Sequence, residues 1–549
     1  MATGSIDTHI TQGGTANRFV ASDSMGYGGC CASAAATLTQ LNCAAATLSL
    51  DHQRIHLPRL LCRPESFGFG RRGIVIQSIR RNGSDRRLLT WLGVVAVLAG
   101  AALLGWRASA RWSLLLFVVV GGAIGLRHAK ELGLLAVVAA SLVLPMQIGT
   151  GTAVDLNAAT LITPTLLSVW LLDKVRTRDF RFARSRANRP LVLFLVAGLL
   201  SLVVGTATWD PVVPRSDKFL IVQLAQWAIF AFAAGAFWLA ANLGRGGRLR
   251  QVTWFYLGLA GSLAILGMLP WTRQLVQSVA TFAMYRAPFW ALLTAMAGGQ
   301  LLFNRRLSAS WRWFLVAALG SATVYAFVLA RVTASNWVGV AAVIGVLVWL
   351  RWPRLRWLIV LALVALTLTG LLSSTVYEFA GGDAEWEESG GSRLVLIERV
   401  IKVTMRNPIT GLGPAAYRPY AAVEPLLYGR AYWVVPQVNS HNNWVDLFSH
   451  VGLLGLGVFV WFAIEIILLG FRLRQSLTTG FYAGYVNAAI AAWVSALVLM
   501  LLADWILPFV YNVGFSGFQA SLPMWLFVGG LVALETHPAH ELPDGATAS

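Results

Sequence analysis

The 549 residues are 57% hydrophobic and only 12% charged, with a mean hydropathy of +0.65; a soluble domain carries about twice that charged fraction. This excludes a soluble enzyme or binding module as the body of the protein. The net charge of +19 would suit a nucleic-acid binder, but Lys and Arg cluster between apolar runs, the distribution that orients a membrane protein. Nucleic acid is therefore not an expected partner.

Residues 1–70, the larger part of a tail that runs to 87, are rich in Ala, Gly, Ser and Thr and lack a basic segment leading into an apolar core, so they do not read as a secretory signal. A disordered cytoplasmic tail, or an over-extended gene start, is expected. The four cysteines, Cys30, Cys31, Cys43 and Cys62, all lie in this tail and read as inert thiols, with no disulfide or metal framework for the membrane part.

Apolar runs long enough to cross roughly 30 Å of hydrocarbon then follow, near 88–106, 111–126, 131–148, 157–173, 190–206, 218–242, 252–271, 283–303, 312–330, 335–350, 357–373, 442–470, 481–504 and 518–536. Each is continuous rather than alternating, which selects helices over a β-barrel. The expected fold is all-α and polytopic, with about 14 transmembrane helices: eleven within 88–373 and three within 442–536. The basic runs from Arg71 to Arg87 and from Lys174 to Arg189 then lie inside, both termini are cytoplasmic, and the long connection 374–441 lies outside.

That loop opens with a Gly-rich acidic stretch, Ser374 to Ser392, which reads as a solvated hinge. Leu394 to Met405 should form a short helix in the membrane interface, with Leu394, Ile397, Val400 and Ile401 on one face and Arg399, Lys402 and Arg406 on the other. Asn407-Pro408 stops it, and Gly411-Leu412-Gly413-Pro414 makes a tight turn.

Topology sorts the histidines. His9, His52, His56, His128, His537 and His540 fall in tails or on the inner face, His450 is deep in a span, and only His441 reaches the outer surface. It stands in Asn439-Ser440-His441-Asn442-Asn443-Trp444, where Asn439 or Ser440 can cap the next helix. The reference pKa of histidine, near 6.5, suits general-base work at neutral pH; the bland reading is a polar residue at an interface. Outer arginines are few: Arg286 and Arg331 at span mouths, and Arg393, Arg399, Arg418 and Arg430 in the loop. Guanidinium forks bind phosphates bidentately, so several converging would hold a diphosphate; snorkelling is the reading for Arg418 and Arg430. Asp446 supports the site rather than acting in it. The first outer loop, between Trp106 and Trp112, has no acidic residue and no DxD lies outside, which disfavours a metal-dependent transferase.

Taken together, Ser392-Arg393-Leu394, Asn407-Pro408-Ile409-Thr410-Gly411-Leu412-Gly413-Pro414, Ser440-His441-Asn442-Asn443-Trp444 and Gly452-Leu453-Leu454-Gly455-Leu456 resemble the O-antigen ligase and O-antigen polymerase family over about 392–460. Arg286 in Met284-Tyr285-Arg286-Ala287-Pro288 and Arg331 before Ala334-Ser335-Asn336-Trp337 look like its membrane-mouth arginines. One departure stands out, since relatives usually carry an acidic residue nine after the histidine and this chain has His450.

The resemblance implies a C-type glycosyltransferase fold in the bacterial inner membrane. It implies metal-independent, cofactor-free transfer of a glycan from a polyprenyl diphosphate carrier to a glycan or lipid acceptor, in cell-surface polysaccharide biosynthesis. On that footing His441 is the expected base, Arg286, Arg331, Arg393 and Arg399 bind the diphosphate, Gly411 and Gly413 shape the loop, and Asn442 and Asp446 support His441. The loop helix would act as a lid. A transporter or flippase, which should show paired ionisable residues near the midplane, and an inactive scaffold are the alternatives.

Overall fold

The computed structural model describes residues 132–149, 155–244, 247–370, 391–423 and 439–536, all within one compact unit. The predicted spans 88–106 and 111–126, the cysteines, the acidic hinge at 374–390 and Arg430 lie outside them.

In chain order the helices are α1 (Gly133–Leu142), α2 (Ala158–Thr177), α3 (Asn188–Ala207), α4 (Phe219–Leu243), α5 (Arg248–Met268), α6 (Pro270–Val279), α7 (Ala287–Phe303), α8 (Ala309–Val324), α9 (Ala334–Arg351), α10 (Arg356–Leu368), α11 (Gly391–Thr404), α12 (Tyr417–Val423), α13 (Asn443–Ser476), α14 (Phe481–Leu499) and α15 (Gly514–Glu535). Strands β1 (Gln147–Gly149) and β2 (Asp155–Asn157) pair antiparallel between α1 and α2. Among the described residues nine helices are long and apolar enough to cross a membrane, and α1 and α7 are shorter apolar helices. The protein is therefore a mostly helical, polytopic membrane protein.

The span expected at 131–148 is instead a ten-residue helix, α1, followed by the hairpin. Pro145 cannot continue a helix, and Asn157 ends the hairpin by capping α2 in a reciprocal capping box with Thr160. The Asn157 amide also donates to the Phe515 carbonyl, 2.6 Å away, which ties the hairpin to the start of α15.

The core is built by close approach of small residues. α15 is buried along its apolar length, whereas the span Ala309–Leu329, formed by α8 and the turn that follows it, is mostly exposed, so α15 is the axis and α8 a peripheral helix. A Cβ at Gly529 of α15 would collide with the Phe237 carbonyl of α4, and one at Gly299 of α7 would lie 2.5 Å from the Gly484 carbonyl of α14. In an apolar solvent van der Waals fit is what holds helices together, so such glycines set the packing distance.

The basic segments collect at one end of the bundle. There Ala183 donates to Asn242, Gly480 to the Phe303 carbonyl, and Arg474 to the Leu350 carbonyl. His441 and the loop helices α11 and α12 lie at the other end.

Candidate active site at His441

Helix α13 is broken at Gly452, whose φ of 66° and ψ of −171° only glycine adopts readily. The loop splices into that break. Leu453 N–H donates to the Pro408 carbonyl (2.9 Å), Leu454 N–H to that of Ile409 (3.0 Å), and Leu412 N–H to that of Ser449 (2.9 Å). Gly411, also at positive φ (79°), lies so close that a Cβ there would be 2.6 Å from the Gly452 nitrogen. The turn at 408–413 and the glycine step at 452–455 are thus one interlocked feature.

His450 belongs to this joint. Its buried Nδ1 accepts from the Ala415 N–H at 3.3 Å, its ring packs against Phe509, and its carbonyl accepts from the Ser201 hydroxyl at 2.6 Å. His450 is thus a loop anchor.

The loop helices share a small core with the α3–α4 connection, formed by Val213, Phe219, Val400, Val403, Leu412, Tyr417 and Tyr420. Arg406 pairs with Asp210 at 2.9 Å, and the Asp210 N–H donates to the Tyr420 hydroxyl. The predicted helix is present as α11, but it does not bury the predicted face. Leu396, Arg399, Val400 and Val403 are buried, while Ile401 is 40% exposed. The buried face of the helix packs on protein, and its Arg399 donates to the Ala421 carbonyl of α12 at 2.5 Å.

His441 sits where this joint meets the α14–α15 connection. Asn442, not Asn439 or Ser440, caps α13, its side chain accepting from the Trp444 and Val445 N–H groups. Asn439 and Ser440 instead bind back to Asp446. The Asn439 amide donates to that carboxylate at 2.7 Å, as do the Ser440 hydroxyl (2.7 Å) and N–H (3.2 Å). Asp446 therefore fixes the chain immediately before His441, which itself has φ 51°, a left-handed conformation uncommon outside glycine.

The two asparagines after His441 bolt the α14–α15 connection in place. Asn443 donates to the Leu507 carbonyl (2.7 Å) and its side-chain oxygen accepts from the Ile506 and Leu507 N–H groups, both at 3.0 Å. Asn442 donates to the Leu501 carbonyl at 3.1 Å. This brings two residues to the histidine that sequence reading passed over. The buried Asp504 has an oxygen 4.0 Å from His441 Nδ1, and the Asn512 amide lies 3.4 Å from the same nitrogen while donating to both Asp504 oxygens at 2.9 and 3.1 Å. A lone acid ending the apolar run 481–504 was the available signal for Asp504; for Asn512 there was none.

Residues 317–460 match the family model described as O-antigen ligase. The chain carries an O-antigen ligase domain. That domain runs from within α8 to just past the glycine step of α13, and takes in Arg331, Arg393, Arg399, Gly411, Gly413, His441 and Asp446. Arg286 lies before it; Asp504 and Asn512 lie after it. No curated protein matches the chain.

The arginines outside and inside the O-antigen ligase domain are placed differently. Arg286 is buried at the start of α7, with its guanidinium 4.5 Å from the Phe282 ring and 5.3 Å from that of Trp505, the neighbour of Asp504. Arg331 is exposed beyond the π-helical turn Tyr325–Leu329. Arg393 lies in the first turn of α11. Arg418, expected only to snorkel, stacks 4.8 Å over the ring of Tyr511, the neighbour of Asn512. Burial lifts the Tyr511 phenol above its ordinary range, and the Arg418 charge partly offsets this. Among the described residues no group of three or more His, Cys, Asp or Glu side chains is placed to hold a metal ion.

Proposed function

We propose that the protein is a glycosyltransferase that moves a glycan from a polyprenyl diphosphate carrier to a sugar or lipid acceptor in surface polysaccharide synthesis. The observation that carries this reading is His441, held beside the buried Asp504 by Asn512, in an O-antigen ligase domain.

In this reading Asp504 faces Nδ1 of His441, which leaves Nε2 for the acceptor hydroxyl. As the hydroxyl oxygen attacks the anomeric carbon, its proton passes to Nε2 and the bond from that carbon to the diphosphate oxygen breaks. The electron pair leaves with the diphosphate. Asp504 stabilises the imidazolium so formed, and Asn512 keeps the carboxylate aimed. Attack opposite the leaving group gives inversion.

Arg286 and Arg331, with Arg393 from the loop, receive the charge developing on the diphosphate, so that charge stabilisation comes from guanidinium groups and not from a metal. Arg399 is better read as the tie between α11 and α12 than as a phosphate ligand. The His441 end faces away from the cytoplasm of a bacterial inner membrane, and both termini lie inside, because the basic loops collect at the opposite end.

The test is the glycan profile of the host's envelope and culture medium after deletion of the gene and complementation. The wild type is expected to restore long glycan products, and an equally expressed His441→Ala variant is expected not to. Full restoration by that variant would overturn the assignment of His441 as base.

A further inference from the structure

Helix α6 is the element of the described chain whose surface is divided most sharply. At 3.6 residues per turn each residue advances about 100° around the axis. Trp271, Leu275 and Val279 therefore fall on one stripe roughly 80° wide, and they are 78%, 62% and 40% exposed. Next around the helix come Val276 and Ala280, both buried. Val276 and the Met284 side chain approach Gly267 from two elements, α6 and the turn Phe282–Tyr285 that leads into Arg286. The remaining arc holds Arg273, Gln274, Gln277 and Ser278, all exposed. Arg273 reaches the rim of that turn, where its charge opposes the upward push of burial on the Tyr285 phenol.

The three sectors thus run in order: apolar and exposed, apolar and packed on protein, polar and exposed. A helix in water would not show the first, and a helix crossing the bilayer would not show the third. α6 also begins at Pro270, directly after the membrane-spanning α5, whose last turn exposes Leu266. The apolar stripe continues that lipid-facing surface.

We propose that α6 lies in the plane of the membrane at the His441 end, with Trp271, Leu275 and Val279 immersed at the boundary of acyl chains and headgroups and with Arg273 and Gln277 in water. Its partner is the phospholipid bilayer itself. Because Val276 of the packed sector and Met284 of the turn before Arg286 meet α5 at the same residue, Gly267, this sets the buried guanidinium at headgroup depth. The inference stands whether or not the protein transfers glycans.

The experiment uses the full chain with Cys30, Cys31, Cys43 and Cys62 replaced by serine. Single cysteines at 271, 274, 275, 277, 278 and 279 are spin-labelled, reconstituted in phosphatidylglycerol–phosphatidylethanolamine vesicles, and tested against oxygen and a water-soluble nickel chelate. Oxygen should relax the labels at 271, 275 and 279 several-fold more than the chelate does, with the reverse at 274, 277 and 278. Chelate access at 271 and 275 equal to that at 274 would place the helix in water and overturn the proposal. Labels at 271 and 275 that are immobile and closed to both reagents would also overturn it, by showing that protein covers the stripe. As a check without cysteines, brominated lipids should quench the wild type more than the Trp271→Phe variant; equal quenching counts against the proposal.

Discussion

Replacing Gly452 by alanine should be among the most damaging single-methyl changes in this chain. The residue sits at φ 66°, ψ −171°, where a side chain costs about 1–3 kcal/mol. The new Cβ would also strike the Ile409 carbonyl and the Gly411 nitrogen, so the 408–412 turn must withdraw. Withdrawal breaks the Leu453–Pro408, Leu454–Ile409 and Leu412–Ser449 bonds, each contributing about 0.5–1.5 kcal/mol. The expected loss is about 3–7 kcal/mol. The matched control is Gly457→Ala, five residues along the same helix, where a Cβ meets nothing within 4 Å and alanine should stabilise by about 0.5–1 kcal/mol. Thermal unfolding of both purified variants in one detergent gives the comparison. If Gly452→Ala melts within about 1 °C of Gly457→Ala, the loop is not spliced into the helix as described.

Asp504→Asn keeps an acceptor for the Phe509 N–H but removes the charge facing His441. With a purified lipid-linked donor, kcat should fall by about 10²-fold or more while the donor KM changes little; an unchanged kcat removes Asp504 from the proposed reaction. His441→Gly and His441→Ala both delete the ring, but φ 51° strains alanine and not glycine. The Gly variant should therefore be the more stable by about 1 kcal/mol in thermal unfolding, and both should be inactive. Tyr511 stays protonated above its ordinary pKa of 10.0, so the stability it contributes is full below about pH 10 and is lost as pH rises through the folded-state value. Arg418→Gln removes the offsetting charge, should raise the phenol further, and should steepen that alkaline loss. Difference titration of the phenolate absorbance against Tyr511→Phe reads it directly.

Much of the membrane part was legible because a continuous apolar run in lipid has only one local solution. The predicted 190–206, 218–242 and 335–350 correspond to α3, α4 and α9 with ends displaced by a residue or two. The failures have physical causes. The run 131–148 was read through Pro145, and α1 stops short of it. The buried face of α11 was assigned by hydrophobicity alone. Arg399 is buried because the Ala421 carbonyl is waiting for it, and no period in the sequence announces a partner 22 residues on. Near His441, the Asp446 carboxylate holds Asn439 and Ser440, seven and six residues before it, a spacing short enough to read from the sequence. Asp504 and Asn512 were missed because their role depends on which connection α15 brings back to His441.

That return is where the short motif after His441 gains its meaning. A histidine on a helix end beside lipid would be free to turn toward any polar group, and the loop before it alone could not aim it. Asn443 uses its side chain three times, all on Ile506 and Leu507, and Asn442 adds Leu501. The same residues that start α13 therefore also hold the connection carrying Asp504 and Asn512. Gln226 of α4 holds the far side of that connection at Pro508 and Val510. The site is thus assembled from parts on both sides of its own helix. The 317–460 domain supplies the histidine and its brace, and chain outside it supplies the facing carboxylate Asp504, whose neighbour Trp505 lies against the buried Arg286. A variant that loosens Asn443 should disturb His441 and Asp504 together, since that side chain ties the helix start after His441 to the connection that carries Asp504.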